Sequence, residues 1–181
     1  TIVPGTYADA LEAANKHQAE TNAISVHAYD TAETVVGQGT LFCEWEQQGL
    51  QADTLIIAVG GGGLISGAIS WFGKTKKIVA VEPEKCPTLN VALENGKPTG
   101  VSVSGVAANA LGAKLIGNIC FNLSVQNEIE SVLVSDSEIV EAQKLLWEKH
   151  RMLVEPAGAA ALAAIVSGKY QHSPNEKMAI L

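Results

Sequence analysis

The sequence predicts an α/β fold with a buried parallel sheet, and three features of the chain favour it. Residues 54–59 form a continuous apolar run without alternation, which is typical of a parallel strand buried on both faces. Four glycines, at residues 60–63, follow this run and separate it from a helical pattern that begins at Leu64. Strand and helix patterns then continue to alternate, as they do in α/β proteins. With 181 residues, the chain is long enough for one well-buried core, and a second full domain is not expected.

Before the glycines, the sequence predicts two helices and a short strand. Residues 7–21 carry apolar or small side chains at helical spacing, and they lead into an apolar stretch over residues 23–26 that predicts a strand. Residues 33–48 again follow a helical pattern, which should end at Gly49. The core-facing side of this helix is expected to carry Val35, Val36, Leu41, Phe42 and Trp45.

After the glycines, the sequence predicts a helix over residues 64–72, a second buried strand over residues 77–81 and a helix over residues 88–94. Glu82 and Pro83 end the second strand. Residues 96–112 form the longest irregular region, and we expect a loop there that could carry function.

The last third of the chain continues the alternation with a strand over residues 131–134, helices over residues 135–150 and 156–164, and a strand over residues 177–181. Ser135 and Glu138 have the spacing of a capping box, which predicts a helix start. Trp147 is expected to face the core from this helix. Pro156 suits the first turn of the following helix.

Composition argues against several functional classes. The net charge of −7 and the presence of a single arginine make nucleic acid a poor partner, because such partners are bound by clustered Lys and Arg. Cys43, Cys86 and Cys120 have no C-x-x-C spacing, so neither a disulfide framework nor a zinc site is indicated. No apolar run reaches membrane-spanning length. We therefore expect a cytoplasmic protein that binds no membrane.

The four glycines Gly60, Gly61, Gly62 and Gly63 predict a phosphate-binding loop. Between a strand and a helix, they let the backbone turn sharply and direct several N–H groups, together with the helix N-terminus, at one anion. The alternative is a tight turn without a ligand, but such a turn needs only one or two glycines. Phosphate binding is therefore the preferred interpretation.

Two familiar nucleotide motifs do not match strictly. In a G-x-G-x-x-G fingerprint that starts at Gly60 or Gly61, the last position holds Ile65 or Ser66. Glu82, about twenty residues later, would nevertheless suit a ribose hydroxyl, so a nucleotide-binding Rossmann-like domain stays open. A P-loop is rejected, because Ala68 stands where its first glycine should be.

Five segments, in order, resemble the pyridoxal-phosphate enzymes of the serine/threonine dehydratase and serine racemase group. They are Val-Gly-Gln-Gly-Thr at residues 36–40, Val-Gly-Gly-Gly-Gly-Leu-Ile-Ser-Gly at 59–67, Val-Glu-Pro at 81–83, Gly-Val-Ala-Ala-Asn-Ala-Leu-Gly at 105–112 and Val-Glu-Pro-Ala-Gly at 154–158. The resemblance covers nearly the whole chain. It implies a doubly wound, mostly parallel sheet with helices on both faces, known as fold type II.

The resemblance also implies the cofactor and its contacts. The backbone amides of the four glycines and of Leu64 would bind the 5′-phosphate of pyridoxal phosphate. Asn109 and Ala110 would pass close to the cofactor ring, and Glu155 would lie near its pyridine end. Most relatives have an acidic residue where this chain has Asn109 and Ser or Gly where it has Ala110, so the pocket should differ in charge.

The relatives also carry a Schiff-base lysine in a Ser-x-Lys-x-Arg-Gly-like motif, upstream of everything in this chain, and no such motif occurs here. No catalytic residue is therefore assigned. We expect residues 1–181 to be the C-terminal portion of a pyridoxal-phosphate-binding large domain, a fragment or remnant without the catalytic-lysine segment and the small domain.

The resemblance implies that the intact protein is an ammonia-lyase converting L-threonine or L-serine to a 2-oxo acid and ammonia. The alternative is a non-catalytic module that binds a phosphate or a nucleotide. A homo-oligomer is expected, because uncovered apolar surfaces are buried by partners. Some relatives bind a divalent cation near the residue matching Glu82, but their second acidic ligand corresponds to Thr88 here, so no metal site is assigned and Glu82 is expected to be a solvated strand-end residue.

Overall fold

The computed structural model describes residues 2–5 and 7–181 of the chain. Its centre is a parallel sheet of four strands in the order β3-β2-β1-β4. The strands are β1 (Thr54–Ala58), β2 (Lys77–Pro83), β3 (Glu130–Val134) and β4 (Met178–Ile180). β1 has β2 on one side and β4 on the other, so the strand order changes direction beside β1, where open α/β sheets bind their ligands.

Helices flank both faces of this sheet. They are α1 (Tyr7–Thr21), α2 (Ala32–Gln47), α3 (Gly63–Phe72), α4 (Thr88–Asn95), α5 (Ala108–Leu111), α6 (Asn118–Gln126), α7 (Asp136–His150) and α8 (Pro156–Val166). The predicted doubly wound α/β class is therefore confirmed. No helix in the described part of the chain is both long and apolar enough to cross a membrane.

The side chains of β1 alternate between two hydrophobic layers. Leu55 and Ile57 pack with α2, α3 and α4 on one face, whereas Ile56 packs with α7 and α8 on the other. All three are fully buried, which explains the unbroken apolar run in the sequence. α8 contributes mainly alanines to its layer, and these small side chains let the helix lie close to the sheet.

Most predicted elements agree with the structure to within two residues, but the strand predicted over residues 23–26 is wrong. No described strand pairs with this segment, and Ile24 and Val26 are 92% and 81% exposed. A strand needs a neighbour to bond its backbone, and periodicity alone does not provide one. α6 was not predicted, and α5 interrupts the segment that was expected to be a loop.

Three predicted core side chains are in fact exposed. Val35 and Phe42 are buried as expected, but Val36 is 69% and Leu41 is 38% exposed, because each lies one residue, or about 100°, away from the buried stripe of α2. Trp147 is 52% exposed, and the guanidinium of Arg151 lies 5.8 Å from its ring centre. Trp147 follows buried Ala142 by five residues, and this spacing places it away from the core-facing side of α7.

Candidate phosphate-binding site

The glycine loop begins where β1 ends at the centre of the sheet. The amide of Val59 still bonds to the Val81 carbonyl at 2.9 Å, and α3 begins at Gly63. Between them, Gly62 adopts a left-handed conformation with φ of 91°. Side chains with a Cβ rarely adopt this conformation, so a glycine is required at this position.

The carbonyl oxygens of the first three loop glycines each accept a hydrogen bond from the protein. The donors are the Thr88 hydroxyl for Gly60 at 2.7 Å, the Gly117 amide for Gly61 at 3.1 Å, and the amide and hydroxyl of Ser66 for Gly62 at 3.0 and 2.6 Å. In a trans peptide the C=O and the following N–H point in opposite directions. Fixing these three carbonyls therefore fixes the directions of the next three amides.

The amides that follow are unpartnered. Within the described ranges, no protein group accepts a hydrogen bond from the N–H of Gly61, Gly62, Gly63 or Leu64. The first amides of any helix lack intrahelical acceptors, and the helix dipole adds positive potential at the same end. The arrangement therefore offers several donors and a favourable potential to one anion.

Packing around the loop leaves no room for larger residues. A Cβ on Gly60 would lie 3.0 Å from the Cα of Leu111, and one on Gly61 would overlap the Tyr29 ring. A Cβ on Gly62 would overlap the Cys120 side chain. The run of glycines is thus explained by close approach of neighbouring segments as well as by backbone conformation.

Two adjoining cavities open on the loop. The first, of about 340 Å³, is lined by the predicted residues Gly60, Gly61, Gly62, Gly63 and Leu64, together with Ala110 and Gln38. The second, of about 260 Å³, is lined by Asn109, Ala110 and Gly61. Ala28 and Tyr29 border both cavities. The structure therefore brings seven of the eight predicted cofactor contacts together at one place.

Glu155 is the predicted contact that the structure leaves apart. It occupies the N-cap position of α8, its side chain makes no capping hydrogen bond, and it is exposed. It does not line either of the two cavities.

A segment around Tyr29 completes the site and was not predicted from the sequence. The Tyr29 ring lies against Gly61, and its hydroxyl donates to the Leu115 carbonyl at 3.2 Å. His27 Nδ1 accepts hydrogen bonds from the amides of Tyr29 and Asp30, at 3.2 and 2.9 Å. The only local signal was a His and an Asp shortly before a helix start, which indicates a structured turn without naming its distant partner.

Asp30 joins this segment to α6. Its carboxylate accepts from the amide of Ile119 at 3.0 Å and from the side-chain amide of Asn118 at 3.1 Å. Partial burial would raise the pKa of Asp30, but these hydrogen bonds outweigh burial and leave the pKa below its ordinary value. Asp30 therefore acts as a remote cap of α6.

Glu82 is buried rather than solvated, which corrects the expectation from its place at a strand end. Its oxygens accept from the amides of Leu89 at 2.7 Å and Asn90 at 2.8 Å, in the first turn of α4. Burial raises its pKa to about 7, although these amides and the Thr88 hydroxyl at 3.1 Å oppose the rise. Since both oxygens face α4, Glu82 is not available to a ribose hydroxyl.

Glu82 does not belong to a cluster of acidic, His or Cys side chains. The described residues contain no group of three or more His, Cys, Asp or Glu side chains arranged to hold a metal ion. Thr88, where the family resemblance would place a second ligand, donates its hydroxyl to the Gly60 carbonyl in the glycine loop.

The chain is similar to known proteins over most of its length. The family model described as "Pyridoxal-phosphate dependent enzyme" matches residues 1–181. Over 162 residues the chain is 32% identical to L-threonine ammonia-lyase of Thermotoga maritima, covering 88% of this chain and 40% of that protein. It is 30% identical over 167 residues to serine racemase of Arabidopsis thaliana, covering 91% of this chain and 50% of that protein.

A solved structure gives the same result. Maize serine racemase superposes on the chain with a TM-score of 0.87 and 28% sequence identity, over 97% of this chain and 55% of that one. The chain thus spans between 40% and 55% of the length of these three relatives.

Proposed function

This chain belongs to the pyridoxal-phosphate-dependent enzyme family, and from that membership we propose that its glycine loop binds the phosphate group of pyridoxal phosphate. The observation that carries the proposal is the contrast between the two sides of the loop. The carbonyls of Gly60, Gly61 and Gly62 have protein partners, whereas the amides that follow, up to that of Leu64, have none among the described residues. A phosphate dianion supplies the acceptors that these amides lack.

The cofactor ring is proposed to extend from the loop toward Asn109 and Ala110. Both residues border the cavity that adjoins the loop, and Ala110 borders the loop cavity as well. Neither residue carries a charge, so this side of the pocket would not repel the carboxylate of an amino acid. The proposed contact between Glu155 and the pyridine end of the cofactor rests on the family resemblance alone.

We propose that the protein to which this chain corresponds is an ammonia-lyase for a small hydroxy-amino acid such as L-threonine or L-serine. L-threonine ammonia-lyase, phenylserine dehydratase and serine racemase are among its relatives. Pyridoxal phosphate supplies an electron sink for the negative charge that develops on the substrate. The part of residues 1–181 would be to bind the phosphate and orient the ring.

The lysine that links covalently to the cofactor is proposed to come from sequence outside residues 1–181. No lysine borders either cavity at the loop, and none lies in the family's motif. In this proposal the chain is the C-terminal portion of the large domain, and it binds the cofactor without a covalent bond.

The alternative function is a non-catalytic module that binds a phosphate or a nucleotide. The loop amides fit any phosphate monoester, so the geometry of the loop alone does not separate this alternative from a cofactor site. The burial of Glu82 against α4 weighs against a dinucleotide, because that carboxylate would be needed at the ribose.

The protein is also proposed to self-associate. Ile24, Val26 and Leu153 are all more than 80% exposed, and a second copy that covered them would bury apolar surface. Light scattering after size exclusion should give a mass above that of one chain, and a monodisperse monomer at micromolar concentration would contradict this proposal.

A titration with pyridoxal phosphate tests the cofactor assignment. We expect saturable binding that is weaker for pyridoxal, which lacks the phosphate, and that inorganic phosphate competes for. After borohydride reduction, mass spectrometry should find no specifically modified lysine in residues 1–181. Equal affinity for pyridoxal and pyridoxal phosphate would contradict the role of the loop, and one stoichiometrically modified lysine would contradict the external lysine.

A further inference from the structure

We propose that Thr88 is a positioning residue for the glycine loop, whose hydroxyl locks the peptide between Gly60 and Gly61 with its N–H directed at the bound phosphate. This inference rests on the proposed phosphate-binding function and concerns how the loop acquires its geometry. Thr88 is fully buried and reaches the Gly60 carbonyl at 2.7 Å from the first residue of α4.

The 60–61 peptide needs a hydrogen bond from outside the loop to hold its orientation, because it joins two glycines. Glycine has no Cβ to restrict rotation, so the 60–61 peptide can turn about its flanking bonds at low cost. Turning it would direct the Gly60 carbonyl, rather than the Gly61 amide, toward the cavity. A carbonyl oxygen repels a phosphate, so the orientation of this peptide decides whether the loop attracts or repels its ligand.

The other two loop carbonyls are held by different means. Gly61 accepts from the Gly117 backbone and Gly62 from Ser66, in the next turn of α3. Among the donors that the structure describes, Thr88 is therefore the side chain that reaches the loop from a separate element. The hydroxyl lies closer to the Gly60 carbonyl, at 2.7 Å, than to the Glu82 carboxyl oxygen, at 3.1 Å, so Gly60 is its main acceptor and Glu82 a secondary one.

Thr88 itself is held rigidly. Glu82 accepts the amides of the next two residues, Leu89 and Asn90, and so fixes the first turn of α4 to the end of β2. β2 is paired with β1, from which the glycine loop emerges. The position of the hydroxyl relative to the loop is therefore set by the sheet through a continuous set of hydrogen bonds.

Two substitutions of Thr88 distinguish the effect of its hydroxyl from the effect of its side-chain volume. Thr88→Val keeps the volume and removes the donor, and it should weaken binding of pyridoxal phosphate and of inorganic phosphate by about five- to tenfold. Thr88→Ser restores the donor and should bind within about twofold of the wild type. The matched control is Thr54→Val, which removes a different buried hydroxyl, one that donates to the Glu176 carboxylate at 2.6 Å. Thr54 opens β1, roughly 20 Å from the loop, so its loss should lower stability without changing phosphate affinity.

A second measurement reports directly on the orientation of the 60–61 peptide, in protein without ligand. The Gly61 amide resonance should be single and sharp in the wild type and in Thr88→Ser, and doubled or exchange-broadened in Thr88→Val. Unchanged affinity together with an unchanged Gly61 resonance in Thr88→Val would overturn the inference, as would an equal loss of affinity in Thr54→Val. A wild type that binds neither pyridoxal phosphate nor phosphate would contradict the proposed function instead, and the Gly61 resonance would still decide the inference.

Discussion

At the scale of single residues, the glycine loop shows how close packing and backbone conformation restrict the same positions. The glycine loop was identified from the sequence, and its amides were expected to face an anion. The contacts that hold the loop in place were not predicted, because Tyr29, Thr88 and Gly117 are each more than twenty residues away from it. Sequence periodicity reports a residue's own element, whereas these contacts depend on how elements pack.

The contact between Gly61 and Tyr29 can be tested by substitution. Gly61→Ala places a Cβ inside the Tyr29 ring and should lower the free energy of unfolding by about 2 kcal/mol. Tyr29→Ala makes room, so the double variant should lose less stability than the sum of the two single changes. Urea unfolding of the four proteins measures this coupling, and strictly additive effects would show that the ring does not occupy that space.

At the scale of elements, the cap of α4 by Glu82 predicts an unusual pH dependence. The pKa of Glu82 in the folded protein is about 7, above the ordinary glutamate value of 4.5. Between pH 4.5 and pH 7 the native state therefore keeps a proton that the unfolded state has released. The stability that Glu82 contributes in this way is fully present below pH 4.5 and is lost as the pH rises through 7. The loss across that window is roughly 3 kcal/mol, at about 1.4 kcal/mol per pH unit.

Glu82→Gln should remove this slope. The variant has one acceptor oxygen for the amides of Leu89 and Asn90, so it should be less stable than the wild type at pH 5. The difference should shrink or reverse at pH 8, where the wild type carries a buried charge. Unfolding titrations at the two pH values measure this, and parallel pH profiles for the two proteins would contradict the buried titration.

Glu176, whose side chain lies beside the start of β1, predicts the opposite dependence of stability on pH. Hydrogen bonds from the hydroxyls of Thr54 and Tyr170 lower its pKa to about 2. Its stabilisation is present above the ordinary pKa of 4.5 and is lost as the pH falls toward 2. Glu176→Gln should therefore lose less stability than the wild type between pH 6 and pH 3, as measured by urea unfolding at the two pH values. An equal acid loss in the two proteins would contradict this role of Glu176.

The elements themselves were largely predictable, and the errors have physical causes. The strands buried on both faces and the capping box of α7 are encoded locally, and both are confirmed. Residues 23–26 have a strand-like sequence, but no described strand pairs with them. The apolar residues of α6 largely alternate instead of recurring at helical spacing, and its start is capped by the distant Asp30 rather than by a neighbour in sequence.

At the scale of the whole molecule, the chain forms a three-layer α/β structure with its candidate site at the carboxyl end of β1. The sheet order, the two hydrophobic layers and the match to the pyridoxal-phosphate-dependent enzyme family all agree with this arrangement. The layers were predictable because parallel strands must be covered on both faces. The order of the strands was not predicted, since local patterns do not specify which strands are neighbours and the family resemblance implied only a doubly wound, mostly parallel sheet.

Amide NMR during titration with pyridoxal phosphate tests most directly whether the loop amides bind a phosphate group. We expect the backbone resonances of Gly61, Gly62, Gly63 and Leu64 to move downfield together and to saturate with one affinity, and inorganic phosphate should move the same four. Saturable binding that leaves these four resonances unmoved and shifts others instead would show that the loop does not bind the phosphate.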